Sequence, residues 1–396
     1  MRIAMLHWAF PPIIGGVESH LALLCPYLVR QGHQVSLLTA TAQGVPERET
    51  WRGVSILRSP LLDLNSLTPE SIESRAEDIK RLMENFLLDF KPDIVHAHNF
   101  HYFSYIHAAA LQEICRRHGW PLVLTAHNVW QDDLWVQMNT LAEGWDQVIA
   151  VSNYIRQELM VDGYPAERVT VVYHGTDTTT FKAPSGAELH SILAAYPEWQ
   201  GRRIIFHPAR MSRAKGCDVS IKAMDLVRRE FPDALLILAG TTNTVDWGQK
   251  QPAEVFEMYR LIADLELEKN VFVRFFPWHE MPSVYKAAEV CIYPSAFQEP
   301  FGLVMLEAMA TAKPLIVSRA GGMPEIVVPG HNGFLVTMGD YKELARYITF
   351  LLRRPEVGKV IGQNGRKITE EKFTTSVMAR NTLEVYRELL SLPKAS

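Results

Sequence analysis

Short apolar runs alternate with longer stretches of helical rhythm twice along this 396-residue chain, and no other feature restricts the fold as strongly. Residues 2–8 form such a run, ending at Pro11-Pro12 and then Gly15-Gly16. A helical pattern follows from Val17 and stops at Gly32, and residues 34–40 make the next run. Strands of a parallel sheet are buried on both faces, so they read as unbroken hydrophobic runs and need helical crossovers between them. More runs follow at 93–96, 122–126, 147–150 and 169–172, with helical segments at 72–90 and 153–160. The rhythm breaks over 181–201, which holds Pro184, Gly186, Pro197 and Gly201 and has little strand character. A second series occupies 203–206, 234–239, 271–275, 290–293 and 315–317, with helices around 218–230, 253–267 and 303–311. The pattern predicts an α/β protein of two doubly wound, Rossmann-like domains, 1–182 and 202–374, joined by a linker at 183–201 and closed by an amphipathic helix at 375–396. Ligands of such sheets bind beyond the carboxyl ends of the strands, so the loops there are where function is sought.

One of those loops is unusually informative. Glu299 and Glu307 stand eight positions apart in the run from Gln298 to Ala310. Pro300 and Gly302 break the backbone, and Leu303, Leu306 and Met309 then begin a helical rhythm. Glu299 is therefore placed on a loop and Glu307 on the helix after it. The main-chain N–H groups of Phe301, Gly302 and Leu303 lie between them, where the positive end of a helix favours an anion. Two hydroxyl-gripping carboxylates flanking an anion site describe a sugar nucleotide.

This stretch resembles the E-x7-E signature of the retaining glycosyltransferases of family 4. The resemblance implies the GT-B fold, in which two such domains face a cleft and the last helix crosses back to the first domain. It also implies that Glu307 holds the ribose hydroxyls and Glu299 those of the donor sugar. The first strand of the second series runs into a loop carrying Arg210 and Lys215, two cations suited to phosphate oxygens. By resemblance they take the donor diphosphate. The chain has no Asp-x-Asp triplet, the usual manganese anchor of the other large glycosyltransferase class. Neither a metal nor a further cofactor is expected, and the nucleoside-diphosphate sugar is a co-substrate.

The first series supplies its own candidates. Gly15, Gly16 and Glu18 follow the first strand; the glycine pair lets a ligand approach the backbone, and in family 4 this loop lies under the donor phosphates and beside the acceptor. His127 ends a strand, where relatives carry a histidine close to the transferred sugar. His96 and His98 have the spacing of a metal pair, but no third ligand stands out. Trp130, Asp132, Asp133 and Trp135 form an aromatic and acidic cluster suited to a sugar or aminocyclitol acceptor. His174 to Asp177 match a turn that closes the first domain in relatives, with His in place of Asn. Gly321-Gly322 and Glu325 are placed by resemblance at the donor site. Residues 271–278 lie where relatives recognise the base, but Pro277 replaces their usual glycine and leaves the base open.

Charge narrows the partners. Residues 1–180 carry 20 Asp/Glu against 13 Lys/Arg, whereas the remainder carries 24 against 27. A basic second half suits a nucleoside diphosphate, and an acidic first half argues against nucleic acid or an anionic membrane surface. Four cysteines, far apart and without a C-x-x-C pair, point to a reducing cytosol. No apolar run is long enough for a transmembrane helix. The expected activity is metal-independent transfer of a sugar, with retention, to a hydroxyl of a carbohydrate, lipid-linked or small-molecule acceptor. A sugar-nucleotide epimerase and a noncatalytic sugar-nucleotide-binding protein are the alternatives.

Overall fold

A computed structural model describes residues 1–240 and 250–392. The chain divides into two compact units, one formed by residues 1–174 with the C-terminal helix, the other by residues 175–374.

The first unit is built on strands β1 (Arg2–Leu6), β2 (Gln34–Ala40), β3 (Arg48–Trp51), β4 (Val54–Ser59), β5 (Ile94–His98), β6 (Leu122–Ala126), β7 (Gln147–Ala150) and β8 (Val169–Val171). Their order in the sheet is β3-β4-β2-β1-β5-β6-β7-β8. Every neighbouring pair is parallel except β3–β4. The chain moves outward from β1 through β2 on one side and returns to β5 on the other, so the loops after β1 and β5 diverge at the switch point. Ile3, Met5, Leu37, Ile94 and Val123 pack under the helix Gly16–Arg30, whose Leu21, Leu24 and Leu28 face the same core. The helix Thr375–Ser391 belongs to this unit and adds Met378, Leu383 and Tyr386 to that core. Tyr386 also pairs through its hydroxyl with His96 Nδ1 at 2.6 Å.

The second unit holds β9 (Arg203–Pro208), β10 (Ala234–Gly240), β11 (Val271–Phe275), β12 (Val290–Tyr293), β13 (Leu315–Ser318) and β14 (Phe334–Val336), all parallel and ordered β11-β10-β9-β12-β13-β14. Its switch point falls between β9 and β12. Ile205, Leu236, Val290 and Ile316 form the core with Met224, Ile262, Leu344 and Ile348 from the covering helices.

Several segments differ from expectation. Residues 183–201 are not a linker: they contain the helix Gly186–Ala195, held by a reciprocal capping box between Ser185 and Glu188, and belong to the second unit. The expected helix at 72–90 is two helices, Pro69–Ser74 and Ala76–Phe90, separated at Arg75. The helix Pro355–Lys372 contains Gly358, Gly362 and Gly365 on the face that meets the helix Leu303–Ala310 and the turn after it. A Cβ at Gly362 would lie 2.0 Å from the Ala312 carbonyl oxygen, so glycine here permits helix contact rather than a break. Residues 393–396 of the predicted C-terminal helix lie outside the described residues. Among the described residues no helix is long and apolar enough to cross a membrane.

Candidate active site

In the second unit, three loops that leave β9, β12 and β13 are tied into one constellation. The β9 loop carries Arg210 and Lys215, and Ala296 N donates to Ala214 O at 2.8 Å, joining it to the β12 loop. A Cβ on Gly216 would sit 1.8 Å from Pro294 O, which explains why the two loops need a residue without a side chain there. Glu299 is buried. Its Oε2 takes both a 2.9 Å ion pair with Lys215 Nζ and a 2.6 Å hydrogen bond from the Tyr293 hydroxyl. The Lys215 ammonium also lies over the Phe297 ring, 4.4 Å from its centroid. Burial, then the nearby Glu299 charge, pushes the Tyr293 phenol well above its ordinary range, whereas the positive charge of Arg210 pulls it down. Tyr293 therefore stays a hydrogen-bond donor to Glu299.

The β13 loop is clipped to the same carboxylate's backbone. Gly322 N donates to Glu299 O at 2.9 Å and Gly321 N donates to Gln298 Oε1 at 2.6 Å. Gly321 has φ +51°, and a Cβ there would stand 2.1 Å from Glu299 O. Gly321→Ala combines left-handed strain with this clash, so we expect a loss of about 2–4 kcal/mol in urea unfolding and a displaced Glu299. Unchanged stability would show that the loop yields more freely than its geometry allows.

Gly302, at φ +88°, turns the chain into the helix Leu303–Ala310. Phe301 is buried and its side chain is part of the core; Leu303 is half-buried. Glu307, on the same helix, accepts a 2.7 Å hydrogen bond from the Tyr285 hydroxyl. Some of the Glu307 surface reaches solvent, yet the protein around its carboxyl removes enough water to push its pKa up to about 7 against the lowering effect of the Tyr285 bond. A carboxylate kept short of hydrogen-bond donors in this way is poised to accept them from a ligand.

In the first unit the strand ends gather histidines. His7 follows β1, His98 ends β5, His127 follows β6, His174 follows β8, and His20 lies on the helix Gly16–Arg30; all are buried. His98 Nδ1 and His127 Nε2 share a hydrogen bond at 3.0 Å, and His20 Nδ1 and His174 Nδ1 share one at 2.8 Å. Burial, reinforced by mutual proximity, holds His20, His98 and His127 well below the ordinary imidazole range, and burial alone takes His174 down to about 3. The rings are uncharged at neutral pH. His20 Nε2, His98 Nε2 and His127 Nδ1 are buried without a hydrogen-bond partner. His96 and His98 do not act as a pair: both His96 nitrogens are taken, by Tyr386 and by Thr125 Oγ1 at 2.7 Å, and His98 bonds instead to His127.

The residues predicted on the acceptor side have internal partners. Glu18 is buried and pairs with His7 Nε2 at 2.9 Å, and its other oxygen fills the space beside Gly15. Gly16 is exposed at the start of its helix. Asp132 caps the helix Asp133–Asn139 through Trp135 N at 2.8 Å and accepts a hydrogen bond from the Tyr102 hydroxyl. Trp130, half-buried, stacks on Tyr102 with ring centroids 3.9 Å apart. Asn99 and Phe103, in the loop after β5 beside this cluster, have φ of +54° and +78°. Such strain in residues other than glycine concentrates at functional loops. Sequence reasoning missed His7, His20, Tyr285 and Tyr293, because only the folded strand order brings them to the sites.

Comparison with known proteins bears on the family and the fold. The family profile described as Glycosyltransferase Family 4 matches residues 14–180, and that described as Glycosyl transferases group 1 matches residues 192–368. The chain is 29% identical to an uncharacterized glycosyltransferase of Methanocaldococcus jannaschii, with 98% of each chain covered. It is also 29% identical to the alpha-maltose-1-phosphate synthase of Mycolicibacterium smegmatis, over 98% of this chain and 100% of that one. Among solved structures, sucrose-phosphate synthase from Thermosynechococcus elongatus superposes with a TM-score of 0.82 at 22% identity, over 98% of this chain and 99% of that one. Anabaena HepE in complex with UDP-glucose gives 0.77 at 23%, over 99% and 100%. The two family profiles and the strand order of both units together place this chain among the glycosyltransferases of the GT-B fold, with an N-terminal half of the family 4 type and a C-terminal half of the group 1 type.

Proposed function

We propose that the protein transfers a sugar, with retention of configuration, from a nucleoside-diphosphate sugar to an acceptor hydroxyl, and that the second unit holds the donor. The observation that carries this is the joining of Lys215, Glu299 and the Gly302-led helix at the carboxyl ends of β9 and β12, on either side of the switch point. Glu307, short of donors, would accept the ribose hydroxyls. Both bonds to Glu299 fall on Oε2, which leaves Oε1 for a hydroxyl of the donor sugar. Arg210, Lys215 and main-chain N–H groups from Gly302 onward would meet the diphosphate. By the resemblance to family 4, the candidates in the first unit are His127 for the transferred sugar, the Gly16 loop for the donor phosphates, and Glu18, Trp130 and Asp132 for the acceptor.

During transfer the bond from the sugar's anomeric carbon to the diphosphate oxygen breaks while the acceptor oxygen bonds to that carbon from the same face. The acceptor's proton passes to a departing phosphate oxygen. Charge grows on the diphosphate, and preorganised cations there lower the barrier. Because protein cations serve this purpose, transfer is expected to persist in EDTA. The four cysteines are buried and unpaired, in keeping with a cytosolic setting. HepE, solved with UDP-glucose, makes a UDP-sugar the first donor to try. The experiment is a thermal-shift screen of UDP-, GDP- and ADP-sugars, followed by mass spectrometry of products formed with pooled neutral sugars, sugar phosphates and lipid-linked acceptors. Transfer to an acceptor supports the reading, and release of free epimerised sugar with no acceptor product would favour an epimerase.

Donor affinity should depend on pH. With Glu307 titrating near 7, its accepting form is lost as pH falls through that value, so donor KM is expected to rise toward acid. Tyr285→Phe removes the bond that lowers this pKa, so the midpoint of the KM profile should move upward. An unmoved midpoint would separate Glu307 from donor binding.

A further inference from the structure

We infer that the acceptor is a sugar or cyclitol bearing an amine, and not one bearing a phosphate. This rests on the reading of the first unit as the acceptor side. The loops that follow β1, β5 and β6 in that unit hold no Lys or Arg. None occurs at 3–29, 92–115 or 119–155, although the whole chain carries 40. Carboxylates are present instead: Glu18 follows β1, and Asp132 and Asp133 follow β6. Glu18 pairs with the His7 ring, and Asp132 bonds the Tyr102 hydroxyl and Trp135 N. Asp133 is exposed. Among the described residues none of the three carboxylates has a Lys or Arg partner.

Histidines do not supply the missing charge. Both His7 nitrogens are taken, Nδ1 donating to the His98 carbonyl at 3.0 Å and Nε2 meeting Glu18. Burial keeps His20, His98, His127 and His174 uncharged. His101 joins them, since burial takes it down to about 4 against the raising effect of its bond to Asn128. Its Nε2 faces the Asn128 carbonyl at 3.0 Å and therefore carries the ring hydrogen. That leaves Nδ1 a buried lone pair with no partner. The same ring lies edge-on to Trp130 and Trp135, with centroids 5.7 and 5.5 Å away. Phe103 completes the aromatic corner, meeting Tyr102 at 4.7 Å and Trp130 at 5.2 Å.

This corner asks a ligand for hydrogens and positive charge. An ammonium group brings three N–H donors and is attracted to aromatic faces as well as to carboxylates. A phosphate brings oxygen acceptors and a charge of the same sign as Glu18, Asp132 and Asp133, which disfavours it. An acceptor carried on a lipid diphosphate is disfavoured for the same reason. The main-chain N–H groups at the start of the helix Gly16–Arg30 favour an anion, but the proposed function gives them to the donor phosphates.

The test titrates the natural full chain with glucosamine, glucose and glucose 6-phosphate in low salt, followed by saturation-transfer NMR. UDP, GDP and ADP are present to occupy the donor's diphosphate site. Glucosamine is expected to bind at least about tenfold more tightly than glucose 6-phosphate, with glucose between them. Asp133→Lys should lower that ratio at least about fivefold, whereas a misfolded variant would lose all three sugars. The second measurement is transfer from pooled UDP-, GDP- and ADP-glucose to amine-bearing, neutral, phosphorylated and lipid-linked acceptor pools, read by mass spectrometry. Product chiefly in the amine-bearing pool supports the inference. Glucosamine binding no tighter than glucose 6-phosphate, absence of binding included, or product chiefly in another pool overturns it. Failure of every sugar nucleotide to bind would sink the donor reading while the order of the three sugars still decides this one. Transfer to a sugar phosphate would sink this inference and leave the donor reading standing.

Discussion

Glu307→Gln is expected to remove sugar-nucleotide binding while making the protein more stable at pH 8. The two effects have one cause. Glu307 has a folded-state pKa of about 7, above the ordinary value of 4.5. Between these values the folded chain holds a proton that the unfolded chain has released, so stability falls as pH rises through the window and stays low above it. At pH 8 the charged group costs up to about 3 kcal/mol, a ceiling because part of the residue reaches solvent. Glutamine removes that cost and still accepts from Tyr285. A Tm gain on the order of 5 °C at pH 8, shrinking below pH 5, is the expected calorimetric result. The price in function follows from the lost charge: two charge-assisted hydrogen bonds to ribose hydroxyls, each about 1.5–3 kcal/mol, amount to a loss of at least about a hundredfold in affinity. A variant that is destabilised and still binds donor would assign Glu307 to the core instead.

The second large effect belongs to Lys215. Lys215→Ala removes a cation that compensates the buried Glu299 carboxylate and, on the proposed reading, one that meets the leaving diphosphate. Loss of one preorganised charge of this kind lowers kcat by about 10²–10³. Leaving Glu299 unpaired also destabilises the fold by about 1–3 kcal/mol. Lys215→Ala combined with Glu299→Gln separates the two. Stability should return, because no buried charge is left alone, but kcat should stay below that of Glu299→Gln alone. If the double variant turned over as fast as Glu299→Gln alone, Lys215 would be a partner of Glu299 and no more.

These effects rest on contacts of which the sequence disclosed only some. The parallel strands were legible because burial on both faces forces unbroken apolar runs such as 34–40 and 290–293. The hairpin β3–β4 was not, since Arg48, Glu49 and Thr50 carry the polar side chains of a sheet edge. The helix Pro355–Lys372 was hidden by glycines that ordinarily oppose helix, but which here bring its backbone against Ala312. Glu299, Glu307 and the Gly302 turn could be placed because they lie in one stretch of chain, where local spacing decides position. The pairing of Lys215 with Glu299 could not, because 84 residues separate them and both had been given to the ligand. The histidine cluster is the extreme case. His20, His98, His127 and His174 meet only because the start of the helix Gly16–Arg30 and the carboxyl ends of β5, β6 and β8 come together, which no spacing along the chain discloses.

Isothermal titration of the natural protein at pH 8 with UDP-, GDP- and ADP-glucose and with the matching nucleoside diphosphates tests the donor site most directly. The account predicts one site per chain for at least one sugar nucleotide, tighter than its parent diphosphate, with that increment lost in Glu299→Gln. Binding of none of the three, or a sugar increment that survives in Glu299→Gln, would contradict it.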